Sequence, residues 1–343
     1  MENRDLRFIA RLLWGRLTGK AYPFLVQFNI TNRCNSRCNY CYAIYYNRPQ
    51  DDMPLESVKK IIDELLSRGV YRLNLVGGEP LIRQDIDEII KYAHGKGISC
   101  AMTTNGFLVK ERMETVKTLD EICFSIDGQK ENNDKNRGQG SFDKAISGLD
   151  VCIREGLKVQ ISSVLTRYTA GDVDFMTGLA EKYGCKVSFS TLISVKKKPV
   201  NAADGLYPEE SVIKRALLRI SELARKGKPI LFSSESYDYA RDWPDHNSDI
   251  TFQNIPGFKN IRCMAGKYFC IIDFNGDLYP CPQLIGIFKP GNILKDGFND
   301  AFQKINSHNC IACSVPCSNE FSMFFWLKPG ILLNYVSYYW RRR

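Results

Sequence analysis

Six short apolar strand patterns alternate with amphipathic helix patterns between residues 24 and 194, and this alternation is the strongest constraint on the fold. The strand patterns are Phe24–Thr31, Tyr71–Gly77, Ser99–Thr104, Glu121–Asp127, Lys158–Thr166 and Lys186–Ile193. The helix patterns are Pro54–Ser67, Gln84–His94, Lys110–Thr118, Phe142–Glu155 and Asp172–Tyr183. Repeated β-α units predict a parallel sheet, and this number of strands fits a partial or a complete barrel. We predict an α/β fold, a partial (β/α)6 TIM-like barrel whose chemistry would lie at the carboxyl ends of the strands.

The bulk composition excludes several classes of protein. With 343 residues, 44% of them hydrophobic, the chain can bury the core of one large domain or of a large and a small one. Its net charge of +9 is concentrated at the two ends, so we expect no nucleic-acid partner. No signal peptide is visible and no stretch of about 18 apolar residues is present, so we expect a cytoplasmic protein without a transmembrane helix.

Thirteen cysteines are the second informative feature, because clustered thiols in a reducing compartment indicate metal ligands rather than disulfides. Cys34, Cys38 and Cys41 lie in the segment TNRCNSRCNYCY, directly after the first strand pattern. Three thiolates from one short loop suit an iron-sulfur cluster, and three ligands for four irons leave one iron open. Cys38 and Cys41 alone also fit a redox pair or half of a zinc site, although zinc sites usually contain two such pairs.

The spacing of this triplet resembles the signature of the radical S-adenosylmethionine (SAM) superfamily. The resemblance implies that Cys34, Cys38 and Cys41 hold a [4Fe-4S] cluster whose open iron chelates SAM. In that family an electron from the cluster breaks a carbon–sulfur bond of SAM, and the resulting 5′-deoxyadenosyl radical removes a hydrogen from the substrate. Tyr40 is expected to lie against the adenine, and an electron donor such as flavodoxin or ferredoxin is expected as a partner.

Turns at the ends of the next three strand patterns strengthen the resemblance. Gly77-Gly78-Glu79-Pro80 is similar to the family's GGEP-type turn, which binds the amino group of the methionine moiety; an ordinary strand-to-helix turn is the alternative. Thr104-Asn105-Gly106 is a turn common in the family, and the resemblance implies that the end of the fourth strand lies near the ribose or carboxylate of SAM. The residues expected to bind the cofactor are Tyr40, Gly77, Gly78, Glu79, Pro80, Asn105, Ser125 and Asp127.

The segment after the fourth strand pattern departs from the family at one position. Asp134, Arg137 and Gly138, followed by GSF, resemble the family's HDxxRG…GSF stretch, but Asn133 stands where a histidine is usual. The departure leaves two alternatives for Asp134 and Arg137: a role at the cofactor, or a role in helix capping and salt bridging.

A second group of cysteines lies in the last third of the chain. Its members are Cys263, Cys281, Cys310, Cys313 and Cys317. Asn275-Gly276, between the first two, is a strong hairpin signal. The order of these features resembles the family's auxiliary-cluster extension called SPASM, or its shortened twitch form. It implies a small cysteine-rich α+β domain with one auxiliary [4Fe-4S] cluster, and a second cluster is left open.

The ligands of this auxiliary cluster are only partly fixed by the resemblance. We favour Cys263 and Cys281 with two or three thiols from the Cys310–Cys317 group. Cys270 lies mid-strand and does not match the usual spacing, but it stays a candidate, and Glu320 stands near where another cysteine is expected. A zinc knuckle made by the same thiolates is the alternative. The cysteines interpreted as buried small hydrophobes are Cys100, Cys123, Cys152 and Cys185.

Composition divides the chain into three parts. We predict an N-terminal amphipathic segment at 1–23, the barrel and a following helix at 24–232, and an auxiliary-cluster domain with a hydrophobic tail at 233–343. Shorter stretches are interpreted as a linker at Val195–Glu210, a helix at Pro208–Lys226 and loop-like chain at Ser233–Ile261.

Both ends combine apolar bulk with arginines. Leu6, Ile9, Leu13 and Leu17 align at helical spacing, and the tail Trp326–Arg343 is aromatic and ends in three arginines. Such segments suit an anionic membrane surface, which would place the protein peripherally on the inner face of the membrane. Packing of both ends on the barrel is the alternative.

The motifs indicate the cofactor chemistry and leave the substrate open. The ends favour a lipid or other membrane-associated substrate. A ribosomal peptide is the usual partner of the extension, but peptide maturases often carry a separate domain before the barrel, and residues 1–23 alone precede the first strand pattern here. A sugar or aminoglycoside is the third class. A non-catalytic iron-sulfur or zinc scaffold, which would need no open iron, is the alternative to an enzyme.

Overall fold

The computed structural model describes residues 3–41, 51–192, 205–246, 255, 257–308, 310–332 and 334. In these parts of the chain, one sheet contains β1 (Leu25–Thr31), β2 (Arg72–Gly77), β3 (Ser99–Thr104), β4 (Glu121–Ser125), β5 (Val159–Leu165), β6 (Lys186–Thr191), β7 (Phe269–Ile272), β8 (Asp277–Tyr279) and β9 (Gly291–Asn292). The strand order across the sheet is β6-β5-β4-β3-β2-β1-β7-β8-β9.

The α-helices in the same parts of the chain lie between and after these strands. They are α1 (Asn3–Thr18), α2 (Leu55–Arg68), α3 (Ile86–Gly95), α4 (Met113–Val116), α5 (Lys130–Arg137), α6 (Ser141–Arg154), α7 (Val173–Lys182), α8 (Glu210–Arg225), α9 (Ser234–Arg241), α10 (Ile293–Asp296), α11 (Phe298–Asn306) and α12 (Pro316–Phe325).

The first six strands are parallel and adjacent in chain order, as predicted for a barrel of the TIM type. Right-handed crossovers between neighbouring strands place all the connecting helices on one face of the sheet. That face forms the main core, in which Phe28 of β1 and Leu75 of β2 are fully buried. Helix α2 contributes the apolar face that its periodicity predicts, and it ends where Gly69 adopts a left-handed conformation with φ 82°. The predicted α/β fold is therefore confirmed.

The C-terminal region extends the same sheet. Strand β7 runs parallel to β1, with Leu25 opposite Phe269, and β8 returns antiparallel to it. The turn between β7 and β8 contains Asn275-Gly276, where Gly276 has φ 88°, so the predicted hairpin is confirmed. The second cysteine group is thus attached directly to the first strand of the barrel.

Two predictions about local structure need correction. The loop-like interpretation of Ser233–Ile261 is wrong over α9, whose first turn is capped by the Ser233 side chain, which accepts a hydrogen bond from Ser236 N. The predicted helix Lys110–Thr118 shortens to α4. Most of the predicted linker, residues 195–204, lies outside the described residues, and α8 begins at Glu210 rather than at Pro208.

The two ends of the chain meet on the barrel. Phe8 of α1 stacks on Phe324 of α12 at a centroid distance of 6.3 Å, and Arg16 lies 4.1 Å over the Trp326 ring. Other large apolar side chains of α1 remain exposed, namely Ile9, Leu13, Trp14 and Leu17. The side chain of Leu6 and residues 333 and 335–343 of the predicted tail lie outside the described part. None of the described helices is long and apolar enough to span a bilayer.

Candidate active site at the carboxyl ends of the strands

The three cysteines of the first group lie on the loop that leaves the carboxyl end of β1. Ser36 lies among them, because its backbone N donates to Cys34 Sγ at 3.4 Å and its Oγ lies 3.4 Å from Cys38 Sγ. The backbone N of Cys41 donates to Cys38 O at 3.2 Å, which closes a turn. Burial, with smaller effects of the charges of Glu79, Cys38 and Cys41, raises the pKa of Cys34 to about 12 against the lowering effect of the Ser36 N–H.

The glycine turn after β2 lies directly against this loop. Gly78 N donates to Thr31 O at 2.9 Å, and Glu79 N donates to Arg33 O at 2.8 Å. A Cβ atom on Gly78 would lie 2.0 Å from Arg33 O and 3.0 Å from the Cβ of Cys34. The glycine is therefore required here by the approach of the cysteine loop itself.

Glu79 joins the ends of β2 and β3. Its buried carboxylate accepts hydrogen bonds from Thr104 Oγ1 at 2.8 Å, Asn105 N at 2.8 Å and Leu81 N at 3.2 Å. Burial raises the pKa of Glu79 to about 7, against the lowering effect of these donors. Asn105 also donates through Nδ2 to Asn35 Oδ1 at 2.7 Å, so this turn reaches the cysteine loop as well. Pro80 begins the short 3-10 turn that follows.

Asp127, at the end of β4, is fully buried below the cysteine loop. Its carboxylate accepts five hydrogen bonds, from Tyr40 Oη (2.7 Å), Arg137 Nε (2.9 Å), Arg137 Nη2 (2.9 Å), Asn136 Nδ2 (3.2 Å) and Val164 N (3.1 Å). A carboxylate offers about four lone-pair positions, so these protein donors fill it. Ser125, two residues earlier, is half-buried on the concave side of the sheet.

Asn133 and Asp134 stabilise the backbone at Asp127 and at the start of α6, respectively. Asn133, at the position where a histidine is usual, accepts from Asp127 N at 2.9 Å and donates to Ser141 Oγ at 2.9 Å. Asp134 accepts from Gly140 N at 2.8 Å and Phe142 N at 2.9 Å, at the start of α6. Of the two alternatives for Asp134, the structure shows helix capping.

The five cysteines of the second group are brought together from separate segments. Cys281 follows β8, whereas Cys313 and Cys317 lie at the entrance to α12, and Cys263 N donates to Ile311 O at 2.8 Å. Burial raises the pKa of each thiol, to about 12 at Cys281 and about 11 at Cys317. The charges of neighbouring thiols add to this effect: Cys263 raises the pKa values of the other four, and Cys281 and Cys313 also raise that of Cys310.

Cys270 and Glu320 lie apart from these five thiols. Cys270 is buried in β7 within the main core, and burial alone raises its pKa, to about 12. Glu320 is directed toward the start of α9, where it accepts from Ser233 N at 3.1 Å and from Ser236 Oγ at 2.5 Å. The structure therefore does not bring either residue into the second cysteine group.

Comparison with known families decides the identity of the first site. The sequence model described as "Radical SAM superfamily" matches residues 28–176, which contain the cysteine loop, the glycine turn and Asp127. The chain belongs to the radical SAM superfamily. It is an enzyme of that superfamily with a C-terminal extension of the SPASM type.

Individual radical SAM proteins resemble the chain over most of its length. Mycofactocin maturase MftC of Mycolicibacterium smegmatis is 29% identical over 293 residues, which cover 84% of this chain and 71% of the relative. Fe-coproporphyrin III synthase of Methanosarcina barkeri is 32% identical over 238 residues, 64% of this chain and 59% of the relative. SuiB of Streptococcus suis, solved with S-adenosylmethionine and with precursor peptide SuiA, superposes with a TM-score of 0.66 in both structures. The SAM-bound structure is 17% identical and covers 86% of this chain and 70% of SuiB. The peptide-bound structure is 16% identical and covers 88% of this chain and 71% of SuiB.

As a radical SAM enzyme, the protein uses a [4Fe-4S] cluster and SAM. Bound at the first site, the cluster would supply the electron that cleaves SAM. The donors present fit these groups, since each cysteine group brings several thiols close enough for their charges to interact. Among the described residues, no three His, Cys, Asp or Glu side chains converge on one metal ion. A four-iron cube binds each thiolate through a different iron and needs no such convergence.

Several residues of the site escape prediction from the sequence. His308 is one, because its Nε2 donates to Ala265 O at 2.8 Å while its Nδ1 accepts from Cys310 N at 3.1 Å, which joins two loops of the second cysteine group. Arg83 is another, since this buried side chain donates to Ile30 O at 2.9 Å and Met53 O at 2.7 Å beside the end of β1. No motif marks either residue. The sequence offers only two weak signals, that His308 stands two positions before Cys310 and that Arg83 follows the glycine turn.

Proposed function

We propose that this radical SAM enzyme removes a hydrogen from a polar substrate bound on the concave face of the barrel, and that the substrate is a peptide. The observation that carries the proposal is the composition of that face. Its half-buried side chains are mostly polar, with Cys123 and Val164 among the exceptions, and we call the following polar set the lumen face: Gln27, Asn74, Thr103, Ser125, Gln160, Ser162 and Ser190.

The lumen face follows from strand alternation. In β5, Ile161 and Leu165 are fully buried in the core beneath the helices, whereas the alternate residues Gln160 and Ser162 are half-exposed. Because the helices cover one face of the sheet, the alternate residues point to the other, which is the inside of a barrel. This interior is therefore accessible and hydrogen-bonding rather than apolar.

Fixed polar pairs continue the lumen face toward the amino ends of the strands. Arg72 forms a salt bridge with Glu121, and Gln160 donates a hydrogen bond to the same carboxylate. Asn74 Nδ2 donates to Thr103 Oγ1 at 3.3 Å. A fatty chain in this space would remove polar groups from water without replacing their hydrogen bonds, at about 1–3 kcal/mol for each group left unsatisfied. A peptide supplies both donors and acceptors.

The names of the relatives favour the same class. MftC is named a maturase, and SuiB was solved with a precursor peptide. Fe-coproporphyrin III synthase supports a second candidate, a porphyrin, whose carboxylates also suit a polar interior. A sugar or aminoglycoside has no counterpart among these relatives.

The proposal assigns roles to the residues of the two sites. The first cluster is bound by Cys34, Cys38 and Cys41, and the auxiliary cluster by four of Cys263, Cys281, Cys310, Cys313 and Cys317. The auxiliary cluster binds the substrate or accepts an electron from the product radical, and flavodoxin or ferredoxin supplies the first electron. The residues on the cofactor side of the first site are Tyr40, Gly77, Gly78, Glu79, Pro80, Asn105 and Ser125. The auxiliary-cluster domain corresponds to 233–343.

A membrane-associated substrate is the less favoured candidate. The observation in its favour is the exposed apolar face of α1, formed by Ile9, Leu13, Trp14 and Leu17. The lumen face argues against it, because a lipid chain presented by α1 would still have to enter a polar interior. Flotation with anionic liposomes at low salt tests this candidate directly, and removal of residues 1–20 is its control.

The proposal is tested by substrate-dependent formation of 5′-deoxyadenosine. Reconstituted enzyme, SAM and dithionite are incubated with one probe at a time: peptides encoded beside the gene, iron coproporphyrin III, or anionic lipid vesicles. We expect the peptide to stimulate 5′-deoxyadenosine formation and to change in mass. Stimulation by vesicles or by the porphyrin, with no change in any peptide, would show that the substrate class is wrong.

A lumen variant locates the substrate in the same assay. Ser162→Leu adds bulk to the concave face, and Ser67→Leu, on the exposed end of α2, is the matched control. We expect Ser162→Leu to lower peptide-dependent turnover at least tenfold more than Ser67→Leu does, since added bulk occludes the site. Equal effects of the two substitutions would contradict binding at the lumen face.

A further inference from the structure

The loop that carries the first three cysteines is seated on the carboxyl end of α5. The last four carbonyl oxygens of an α-helix have no partner within the helix. In α5 the first of these, Asp134 O, accepts from Gly138 N at 2.9 Å. The other three accept from the cysteine loop, through Asn39 Nδ2 to Lys135 O (2.7 Å), Asn39 N to Asn136 O (2.9 Å) and Ser36 Oγ to Arg137 O (3.1 Å).

This arrangement brings the negative end of a helix dipole close to the thiols. The negative ends of these carbonyl dipoles oppose reduction of a nearby cluster, so a compensating cation is needed beside the sulfurs. Arg137, the last residue of α5, is in that position, because its Nη1 lies 3.9 Å from Cys38 Sγ.

Asp127 fixes this guanidinium in place. Nε and Nη2 of Arg137 each donate to the Asp127 carboxylate at 2.9 Å, which is the two-pronged geometry that holds an arginine plane rigidly. The Asp127 side chain is fully buried and that of Arg137 is 11% exposed. Tyr40, from the cysteine loop, donates to the same carboxylate at 2.7 Å, and the Arg137 guanidinium lies 5.5 Å over its ring. Nη1, the third nitrogen of the guanidinium, remains to interact with the sulfur of Cys38.

We propose that Arg137, held by Asp127, is a positioning residue that fixes the cysteine loop and stabilises the reduced form of the first cluster through Cys38. The inference rests on the proposed assignment of Cys38 as a ligand and is independent of the substrate. A positive charge and a hydrogen bond at a ligand sulfur both favour the more negative, reduced cluster, so they raise its reduction potential. Asp127 then serves the cluster and not the ribose or carboxylate of SAM.

The test compares Arg137→Gln, Arg137→Lys and Asp127→Asn with Lys130→Gln, a control on the same helix whose lysine pairs with Asp143 at the surface. Reconstituted proteins are titrated anaerobically without substrate, and the reduced cluster is followed by electron paramagnetic resonance. The signal of a Cys34/Cys38/Cys41 triple alanine variant, which keeps only the auxiliary cluster, is subtracted. Absence of any first-cluster signal in wild-type protein would refute the ligand assignment and with it the role of Arg137 at Cys38, whereas a normal wild-type signal with unchanged variants would overturn the role of Arg137 alone.

We expect Arg137→Gln to lower the ratio of reduced to oxidised first cluster about tenfold at a fixed potential, which corresponds to about 59 mV for one electron. Arg137→Lys should restore part of this shift because it keeps the charge. Lys130→Gln should leave the potential unchanged. A wild-type potential in Arg137→Gln, or an equal shift in Lys130→Gln, would overturn the electrostatic role.

Hydrogen–deuterium exchange of the iron-free proteins keeps the proposal testable if Arg137→Gln does not hold iron. Loss of the fork should speed exchange of the backbone amides in 33–41 in Arg137→Gln and Asp127→Asn, and not in Lys130→Gln. Unchanged exchange in both variants would overturn the positioning role.

Discussion

Asn29 Nδ2 donates a hydrogen bond of 2.9 Å to Asp273 Oδ1, and both side chains are fully buried. Asn29 lies in β1, two residues before its end, and Asp273 directly follows β7. The bond therefore joins the barrel to the C-terminal extension close to the cysteine loop, in addition to the backbone pairing of β1 with β7. The extension is a structural part of the barrel wall, and its loss should affect the first cluster as well as the second.

The stability of this junction gives the first prediction. Asn29→Ala removes one donor to a buried carboxylate, and we expect it to lower the free energy of unfolding by about 1.5–3 kcal/mol. Urea unfolding of the anaerobic, iron-free protein measures the change. Asn306→Ala, at the exposed end of α11, is the control and should change stability by less than about 0.5 kcal/mol. Equal stability of the two variants would show that the junction contributes nothing.

The second prediction concerns the pH dependence caused by Glu320. Burial raises the pKa of Glu320, despite hydrogen bonds from Ser233 and Ser236 that lower it. The folded protein thus holds a proton that the unfolded chain releases. The contribution of Glu320 to stability is therefore full below the ordinary pKa of a glutamate and is lost as pH rises through the raised value.

Glu320→Gln cannot ionise and should lack this loss. We expect the free energy of unfolding of wild type, minus that of Glu320→Gln, to decrease between about pH 4 and pH 8. Glu235→Gln, an exposed residue in the first turn of α9, the helix whose start Glu320 contacts, should give a flat difference. A flat or rising difference for Glu320→Gln would mean that the folded protein does not favour the protonated carboxyl.

The periodicity of the sequence predicts most strands and helices of the barrel, but few of the side-chain contacts between them. Strand β3 matches its predicted bounds, and the apolar face of α2 is the one that the spacing of Val58, Ile61, Ile62 and Leu65 indicates, because local patterns determine both. Helix α9 was not predicted, although its Ser233 cap is a local signal. Its first turn is also held by Glu320, which is 84 positions from Ser236 in the chain, and no local pattern records that tertiary contact.

The same limit applies to the site. The cysteine loop and glycine turn are visible because their ligands and glycines are contiguous in the sequence. Asp127 also stands out, but the sequence cannot show that Tyr40, Asn136, Arg137 and Val164 all donate to it. Predictions based on motifs therefore place Asp127 at the cofactor, whereas counting its hydrogen bonds places it beneath the loop.

The third prediction tests the first cysteine group. Replacement of Cys34, Cys38 or Cys41 by alanine should reduce SAM-dependent 5′-deoxyadenosine to the background of the enzyme-free reaction, because fewer than three thiolates cannot hold a site-differentiated cluster. Mass spectrometry of the nucleoside measures the loss. Cys152→Ala, buried in α6, is the matched control and should retain turnover. Retained cleavage in the triple variant would contradict the ligand assignment.

The fourth prediction separates the auxiliary cluster from the first. The Cys34/Cys38/Cys41 triple alanine variant should still hold about four irons per chain after anaerobic reconstitution. Adding Cys281→Ala should reduce this iron, whereas adding Cys270→Ser should not, because Cys270 lies in the main core apart from the other thiols. Metal analysis that finds no iron, or zinc in its place, would contradict an auxiliary iron-sulfur cluster.

The last prediction uses the contact between the glycine turn and the cysteine loop. A Cβ atom at Gly78 would lie 2.0 Å from Arg33 O, so Gly78→Ala must displace the backbone immediately before Cys34. Gly95→Ala is the matched control, because at the end of α3 an added Cβ would meet nothing within 4 Å. We expect Gly95→Ala to be neutral or stabilising by about 0.5–1 kcal/mol, as usual for glycine within a helix.

For Gly78→Ala we expect iron bound at the first site to fall by at least about half and 5′-deoxyadenosine to fall at least about tenfold, because a ligand loop displaced by about 1 Å loses productive geometry. The auxiliary iron should stay, since Gly78 does not contact the second cysteine group. This pattern distinguishes local displacement from general unfolding, which would remove both clusters. Full iron content with unimpaired turnover in Gly78→Ala would mean that the loop adjusts freely and that its close approach to the turn is dispensable.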